Sequence, residues 1–316
     1  MVNQKVATYQ KWFKKKLCDS EKCPADSTLR TYAYSMAWLA QRIDGFEGEA
    51  VPDADVILKY MEDNKVSNQR RLSSYTALKV WHNCRSEADC SKKYCTPLVL
   101  CKRAQDAEYD NQKRTKHQEK NWIDYATLKK FTACVREKTL GFNKNELWTK
   151  DQYATATLAF ILQYHLTYPI RRCLCTVKWG VEASTEYNYL DSKTREIVYN
   201  KHKTARWKGP LKHKLSRPMW RLFGLLKKQQ KMREINSGAI LLGRYWRPMS
   251  KNGYSSWMKR EMKGCKGCAD KQVGCLMIRH SVITHMRRKE LTIHQKNDFA
   301  TRCMHSCGQN DRYRVH

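Results

Sequence analysis

The stretch Glu186–Asn200, EYNYLDSKTREIVYN, decides the fold class. It reads as two short strands, Glu186–Leu190 and Glu196–Asn200, rich in Tyr, Ile and Val and joined by a polar turn. On both sides the apolar residues recur with helical spacing. Upstream, WIDYATLKKFTACV and DQYATATLAFILQYHL predict helices. Downstream, a third strand is expected near Trp207–His213, then helices in RPMWRLFGLLKKQQ, YSSWMKREMK, LMIRHSVITHMRRK and HQKNDFATRCM. A β-hairpin set among helices gives an α+β fold, mainly α with a small antiparallel sheet.

The first hundred residues predict a helical bundle. In DSTLRTYAYSMAWLAQRI, Leu29, Tyr32, Met36, Leu39 and Ile43 share one face, with Asp26 or Ser27 as the cap. In NQRRLSSYTALKVW, Leu72, Tyr75, Leu78 and Trp81 do the same, and VPDADVILKYMEDN is a short capped helix between them. CKRAQDAEYDNQKRTKHQEKN is polar and charged with almost no apolar period, and reads as a linker. The expected division is therefore a basic helical domain at 1–104, a basic linker at 105–121 and a second domain at 122–316.

Charge narrows the function. There are 61 Lys+Arg against 30 Asp+Glu in 316 residues, a formal net charge of +31. Such an imbalance calls for a polyanionic partner, and double-stranded DNA is the first choice, because each neutralised phosphate releases counterions. An anionic membrane is the alternative, but no apolar run reaches spanning length. The N-terminus MVNQKVATYQKWFKKK has no apolar signal core, so an intracellular protein is expected. Of the 14 cysteines, most are then expected as free thiols or metal ligands rather than disulfides. Cys265, Cys268 and Cys275 in CKGCADKQVGC have C-x2-C-x6-C spacing and are zinc candidates, with His280 or another cysteine as a fourth ligand. Cys84, Cys90, Cys95 and Cys101 form a looser cluster.

The chemistry-bearing residues appear in a fixed order. TYPIRRCLCTVKW carries Arg171 and Arg172, expected at the start of a helix. YNKHKTARWKG carries Lys203 just past the hairpin, crowded by Lys201, Arg206 and Lys208. CLMIRHSVITHM carries Arg279 and His280, and CMHSCGQNDRYRVH carries His305 and Tyr313. Together these can break a phosphodiester. A tyrosine oxygen attacks phosphorus, two guanidinium forks hold the charge that builds on the non-bridging oxygens, and a lysine protonates the leaving 5′ oxygen. The phenol, with an ordinary pKa of about 10, must first lose its own proton. This chemistry needs no cofactor.

In that order the residues resemble the tyrosine recombinases and phage-type integrases. MHS…RY resembles their GHSS…RY box, with Met304 in place of Gly; IRHSVITHM resembles LRHTFAT; NKHKTARWKGPLKHKLSRPMWRLF resembles KTGK…VPL…L. The YP-I-RR and KT forms look most like integrases of eukaryotic DNA viruses and mobile elements. The resemblance covers the last two thirds by motif. It implies a DNA clamp of two domains and a homotetramer on two DNA sites. It implies a host-nuclear or viral-factory location if the source is a eukaryotic virus or mobile element. It assigns Arg171 as first clamp arginine, with Arg172 able to exchange with it, Lys203 as general acid, Arg279 as second arginine, His305 as phosphate contact and Tyr313 as nucleophile, with His280 a further catalytic or phosphate-contacting candidate. Three departures stand out. Leu276 occupies the position of the family's histidine, while His280 lies about 100° around the helix from Arg279. Leu174 or Cys175 stands where an acidic residue is usual, and only three residues follow Tyr313. A type IB topoisomerase and a catalytically inactive DNA-binding protein remain the alternatives.

Overall fold

The computed structural model describes residues 2–18, 24–46, 50–111, 113–180, 183–202, 205–243 and 245–305. The chain divides into two compact units, Met1–Asn111 and Gln112–His316.

Among the described residues the elements of the first unit are all helices: α1 (Val2–Leu17), α2 (Asp26–Leu39), α3 (Ala54–Asp63), α4 (Asn68–Cys84), α5 (Ala88–Lys93) and α6 (Cys95–Asp110). The apolar stripes close a single core. Leu29, Met36 and Leu39 of α2 are sealed against Leu78 and Trp81 of α4, with Phe13 of α1. Trp12 stacks on Trp81 with ring centroids 3.7 Å apart. Asp53 caps α3 by accepting from the Asp55 amide, but α2 departs from expectation: its N-cap is Ala25 and no side chain caps it. The segment read as a linker is also different, because α6 runs through its first residues to Asp110. From Lys102 to Ala107 the helix carries charged, polar and small side chains that bury little, so no apolar period announces it.

The second unit begins with α7 (Lys116–Asn121), closed by a reciprocal Thr115–Gln118 capping box. Then follow α8 (Tyr125–Leu140) and α9 (Lys150–Thr167), the latter buried on nearly every side. Pro169 stops α9, and Tyr168 ahead of it leaves the helical region. The expected helix at Arg171 is only a five-residue 3-10 turn, Arg172–Thr176, leading into β1 (Val177–Lys178). The hairpin forms as β2 (Asn188–Asp191) and β3 (Glu196–Tyr199), with Tyr189 opposite Val198 and Leu190 opposite Ile197. The Asp191 carboxylate accepts from the Lys193 and Thr194 amides and folds the turn. The third strand comes later than expected. Residues 205–208 form α10, and β4 (Leu211–Lys214) pairs antiparallel with β3. The sheet order is β1-β2-β3-β4, and β1 runs parallel to β2, so the sheet is mixed rather than purely antiparallel. Helices α11 (Arg217–Met232), α12 (Lys251–Glu261), α13 (Cys275–Arg287) and α14 (Ile293–Arg302) complete the unit.

Among the described residues no helix is long and apolar enough to cross a membrane. Eleven described cysteines are free thiols. Cys18 departs from the expectation of free thiols: it is disulfide-bonded.

Candidate functional site

Arg279 is the centre of the site. It lies on α13 between Ile278 and His280 and is 1% exposed, which is rare for a group that water solvates so strongly. Its Nη2 donates to the Cys303 carbonyl at 2.7 Å and to Nε2 of His305. The second bond makes His305 Nε2 an acceptor and fixes the plane of the guanidinium.

The way α14 ends explains why His305 is there. A Thr292–Gln295 capping box starts the helix, and Phe299 and Ala300 are buried along it. At its C-terminus the Met304 amide bonds to the Thr301 carbonyl at 2.8 Å and the His305 amide to the Ala300 carbonyl at 2.9 Å. This is a Schellman turn with Met304 at its left-handed position, φ +57°. The resembled motif carries Gly at this residue, and the turn gives the physical reason: only Gly adopts that conformation without a Cβ penalty. Met304 accepts the penalty and buries its side chain in the core instead, 8% exposed. The turn directs His305, itself 3% exposed, back onto Arg279.

Arg171 follows the buried anchor Ile170 and is half-buried at the start of the 3-10 turn. Arg172 is exposed and donates to Asn252 Oδ1 at 3.0 Å at the start of α12. The two arginines are thus distinguished by burial. Cys173 reports their common surroundings. Burial pushes its thiol up, against the charges of Lys251, Arg279, Arg171 and Arg172, all of which reach it. Behind Arg279, His165 accepts or donates a 2.9 Å bond with the Tyr254 hydroxyl. Burial, with the Arg279 charge, pushes His165 down to about 3.

Lys203 and Tyr313 lie outside the described residues. His280 faces away from Arg279, with its Nε2 3.3 Å from the Gln118 amide nitrogen of α7, as the helical offset requires. Leu276 is 57% exposed, so the family's histidine position holds a solvent-facing apolar side chain with no proton to exchange. Leu174 and Cys175 are buried. The zinc spacing does not close on an ion. Cys265 and Cys268 lie side by side, whereas Cys275 opens α13 and bonds with Tyr254. Among the described residues no three His, Cys, Asp or Glu side chains are placed to hold a metal, in this loop or at Cys84–Cys101.

Sequence reasoning passed over Lys208 as one of several crowding cations. It ends α10 ahead of Gly209 (φ +66°), and its Nζ donates to the His305 carbonyl. The signal was the Lys-Gly-Pro break, which stops the helix and fixes the lysine at its end.

No protein-family model and no curated protein sequence matches the chain. Among solved structures, the integrase of transposon Tn1549 in complex with transposon right-end DNA has a similar fold, with TM-score 0.58, 14% identity, 98% of this chain and 95% of that one covered. The same integrase on a circular-intermediate DNA gives TM-score 0.55, 13% identity, 98% and 95% coverage. The fold is that of these integrases along almost the whole of both chains.

Proposed function

We propose that the chain is a site-specific DNA recombinase or integrase that cuts and rejoins duplex DNA through a 3′-phosphotyrosine. The observation that carries this reading is the enclosed Arg279 with His305 on its guanidinium, in a neighbourhood that the charges of Arg171 and Arg172 also reach. The integrase of similar fold was solved on transposon-end DNA, and the net charge of +31 suits the same class of partner.

In this mechanism the Tyr313 oxygen attacks phosphorus and the bond from phosphorus to the 5′ oxygen breaks. Lys203 gives the departing oxygen its proton. Arg171 and Arg279 hold the non-bridging oxygens as charge builds on them, an arrangement fixed before reaction and so costing no reorganisation. His305 contacts the phosphate and, with the Cys303 carbonyl, keeps Arg279 in plane. The phenol proton passes to solvent water, a loss that the positive field of the arginines favours, since Leu276 cannot accept it. Rejoining reverses the steps with a 5′ hydroxyl of a second strand. Four protomers on two DNA sites would exchange strands in this way, moving a viral or mobile element.

A library of nicked duplexes with randomised cores tests the proposal. A detergent-stable protein–DNA adduct is expected, mapping to the peptide with Tyr313 and abolished by Tyr313→Phe. An adduct that survives this substitution, or duplex binding with no adduct at all, would overturn it in favour of another nucleophile or a non-catalytic binder. Relaxation of supercoiled plasmid without recombinant product would mark a topoisomerase instead.

A further inference from the structure

A second basic cleft lies in the same unit, between the start of α8 and the C-terminal half of α13. Its volume is about 240 Å³ and its walls include Arg114, Trp122, Tyr125, His285 and Arg288. A water occupies about 30 Å³ of liquid, so a small polyatomic ion with some hydration fits. The Arg114 guanidinium lies 4.0 Å over the Trp122 ring. His285 stacks on Tyr125 at 3.8 Å with 4° between planes. Arg114 and His285 therefore each rest on an aromatic shelf that holds its orientation.

The charges here are out of balance. Burial and the Arg288 charge both push Arg114 down, and the charges of Lys289, Arg288 and Lys129 reach His285. Against them stand two carboxylates. Asp124 lines the cleft, but its two oxygens accept from the Thr127 amide at 2.8 Å and the Thr127 hydroxyl at 2.6 Å. Glu119 reaches Arg114 through charge alone. Among the described residues neither Arg114 nor Arg288 forms an ion pair. Arg114 Nε is also buried with no hydrogen-bond partner. A buried donor without an acceptor is costly, and native proteins seldom leave one so.

We infer that this cleft is a phosphoryl-binding site, separate from the Arg279 site, in which Arg114 and Arg288 grip one phosphate from two sides. A tetrahedral oxyanion presents acceptors in several directions, as two guanidiniums on different segments require. Either a nucleic-acid backbone or a soluble phosphate compound supplies the same group.

The full chain, with Arg288→Ala, Arg114→Ala and the double variant, tests this by two titrations. One uses inorganic phosphate followed by calorimetry. The other uses a random-sequence duplex at several salt concentrations. Lys144→Ala, an exposed lysine elsewhere, is the control. Loss of phosphate binding by about tenfold or more in the double variant, with the duplex salt slope unchanged, assigns a soluble compound. A salt slope shallower by about 0.9 for the lost backbone contact assigns DNA. An unchanged phosphate affinity together with an unchanged slope would overturn the site. Arg288 is exposed, so Arg288→Ala keeps the test valid if Arg114→Ala loses its thermal transition. Both readouts measure binding only, so a chain that never forms a tyrosine adduct still answers the question.

Discussion

The arginines along α2 of the first unit and Arg279 of the second are held in opposite ways. In the first, Arg30 lies over Tyr34 at 5.7 Å, and Arg42 and Arg70 flank Trp38 at 4.6 and 5.2 Å. Residues 30, 34, 38 and 42 are spaced by four, so they form one stripe along α2 and the turn after it. Its cations face water and rest on rings, an association worth about 0.5–1 kcal/mol each. In the second unit, Arg279 is enclosed and tied to a carbonyl and an imidazole from a segment 24 to 26 residues away. The first arrangement tolerates replacement one arginine at a time. The second loses orientation when any member changes, and orientation is what phosphoryl-transfer chemistry needs.

The sharpest way to break this contrast is Arg279→Lys. The charge stays, but the fork that spans Cys303 and His305 is lost. Adduct formation on the nicked duplexes is expected to fall by about 10²–10³-fold, while duplex affinity changes little. Equal loss of binding and adduct would place Arg279 in general DNA attraction, no different from the stripe on α2.

Acid offers the next largest effect. Burial pushes His165 and His213 each to about 3 in the folded chain, against about 6.5 when unfolded. Between those values the unfolded chain binds protons that the native chain refuses. Stability is therefore full above pH 6.5 and falls as pH drops through that window, by about 1.4 kcal/mol per pH unit for each histidine. Denaturant midpoints of the second unit from pH 7 to pH 5 check this. A level profile, or one that His165→Gln with His213→Gln fails to flatten, refutes it.

Met304 is a finer probe of how the second unit is built. Met304→Gly would relieve a left-handed residue by about 1–2 kcal/mol and forfeit burial worth about 1.5–3 kcal/mol. The two nearly cancel, so a net destabilisation of about 1 kcal/mol is expected in equilibrium unfolding. A loss above about 3 kcal/mol would mean that Met304 packing, not the Schellman turn, positions His305.

That turn also shows where the sequence is readable. Helices α2, α4, α8, α9, α11, α13 and α14 announced themselves because burying one face imposes a helical period. Helix α6 did not, since from Lys102 to Ala107 it carries charged, polar and small side chains that bury little. Two-residue β1 carries no period at all, and its parallel pairing with β2 is a tertiary event. At the site, residue order alone pointed to Arg279 and His305. Their bond depended on α14 closing over α13, which no local pattern records. The same holds for Lys208 at the His305 carbonyl, and for Cys275, whose spacing from Cys268 says nothing of where the fold sets it.

The smallest effects are expected on α2 and α4, and they complete the comparison. Arg42→Ala and Arg70→Ala each remove one guanidinium from Trp38 while the other still covers it. Arg42 is exposed and Arg70 half-buried, so unfolding stability should move by about 0.5 kcal/mol or less. If the stripe lies along a phosphate backbone, each variant should weaken binding uniformly across duplex sequences and reduce the salt slope by about 1. The double variant should then sum the two, because contacts through a screened, hydrated interface are nearly independent. A slope that drops by about 1 for either single variant and no further for the double would show that Trp38 joins the pair into one contact. The outer stripe would then behave like the enclosed site, as a unit rather than as separable charges.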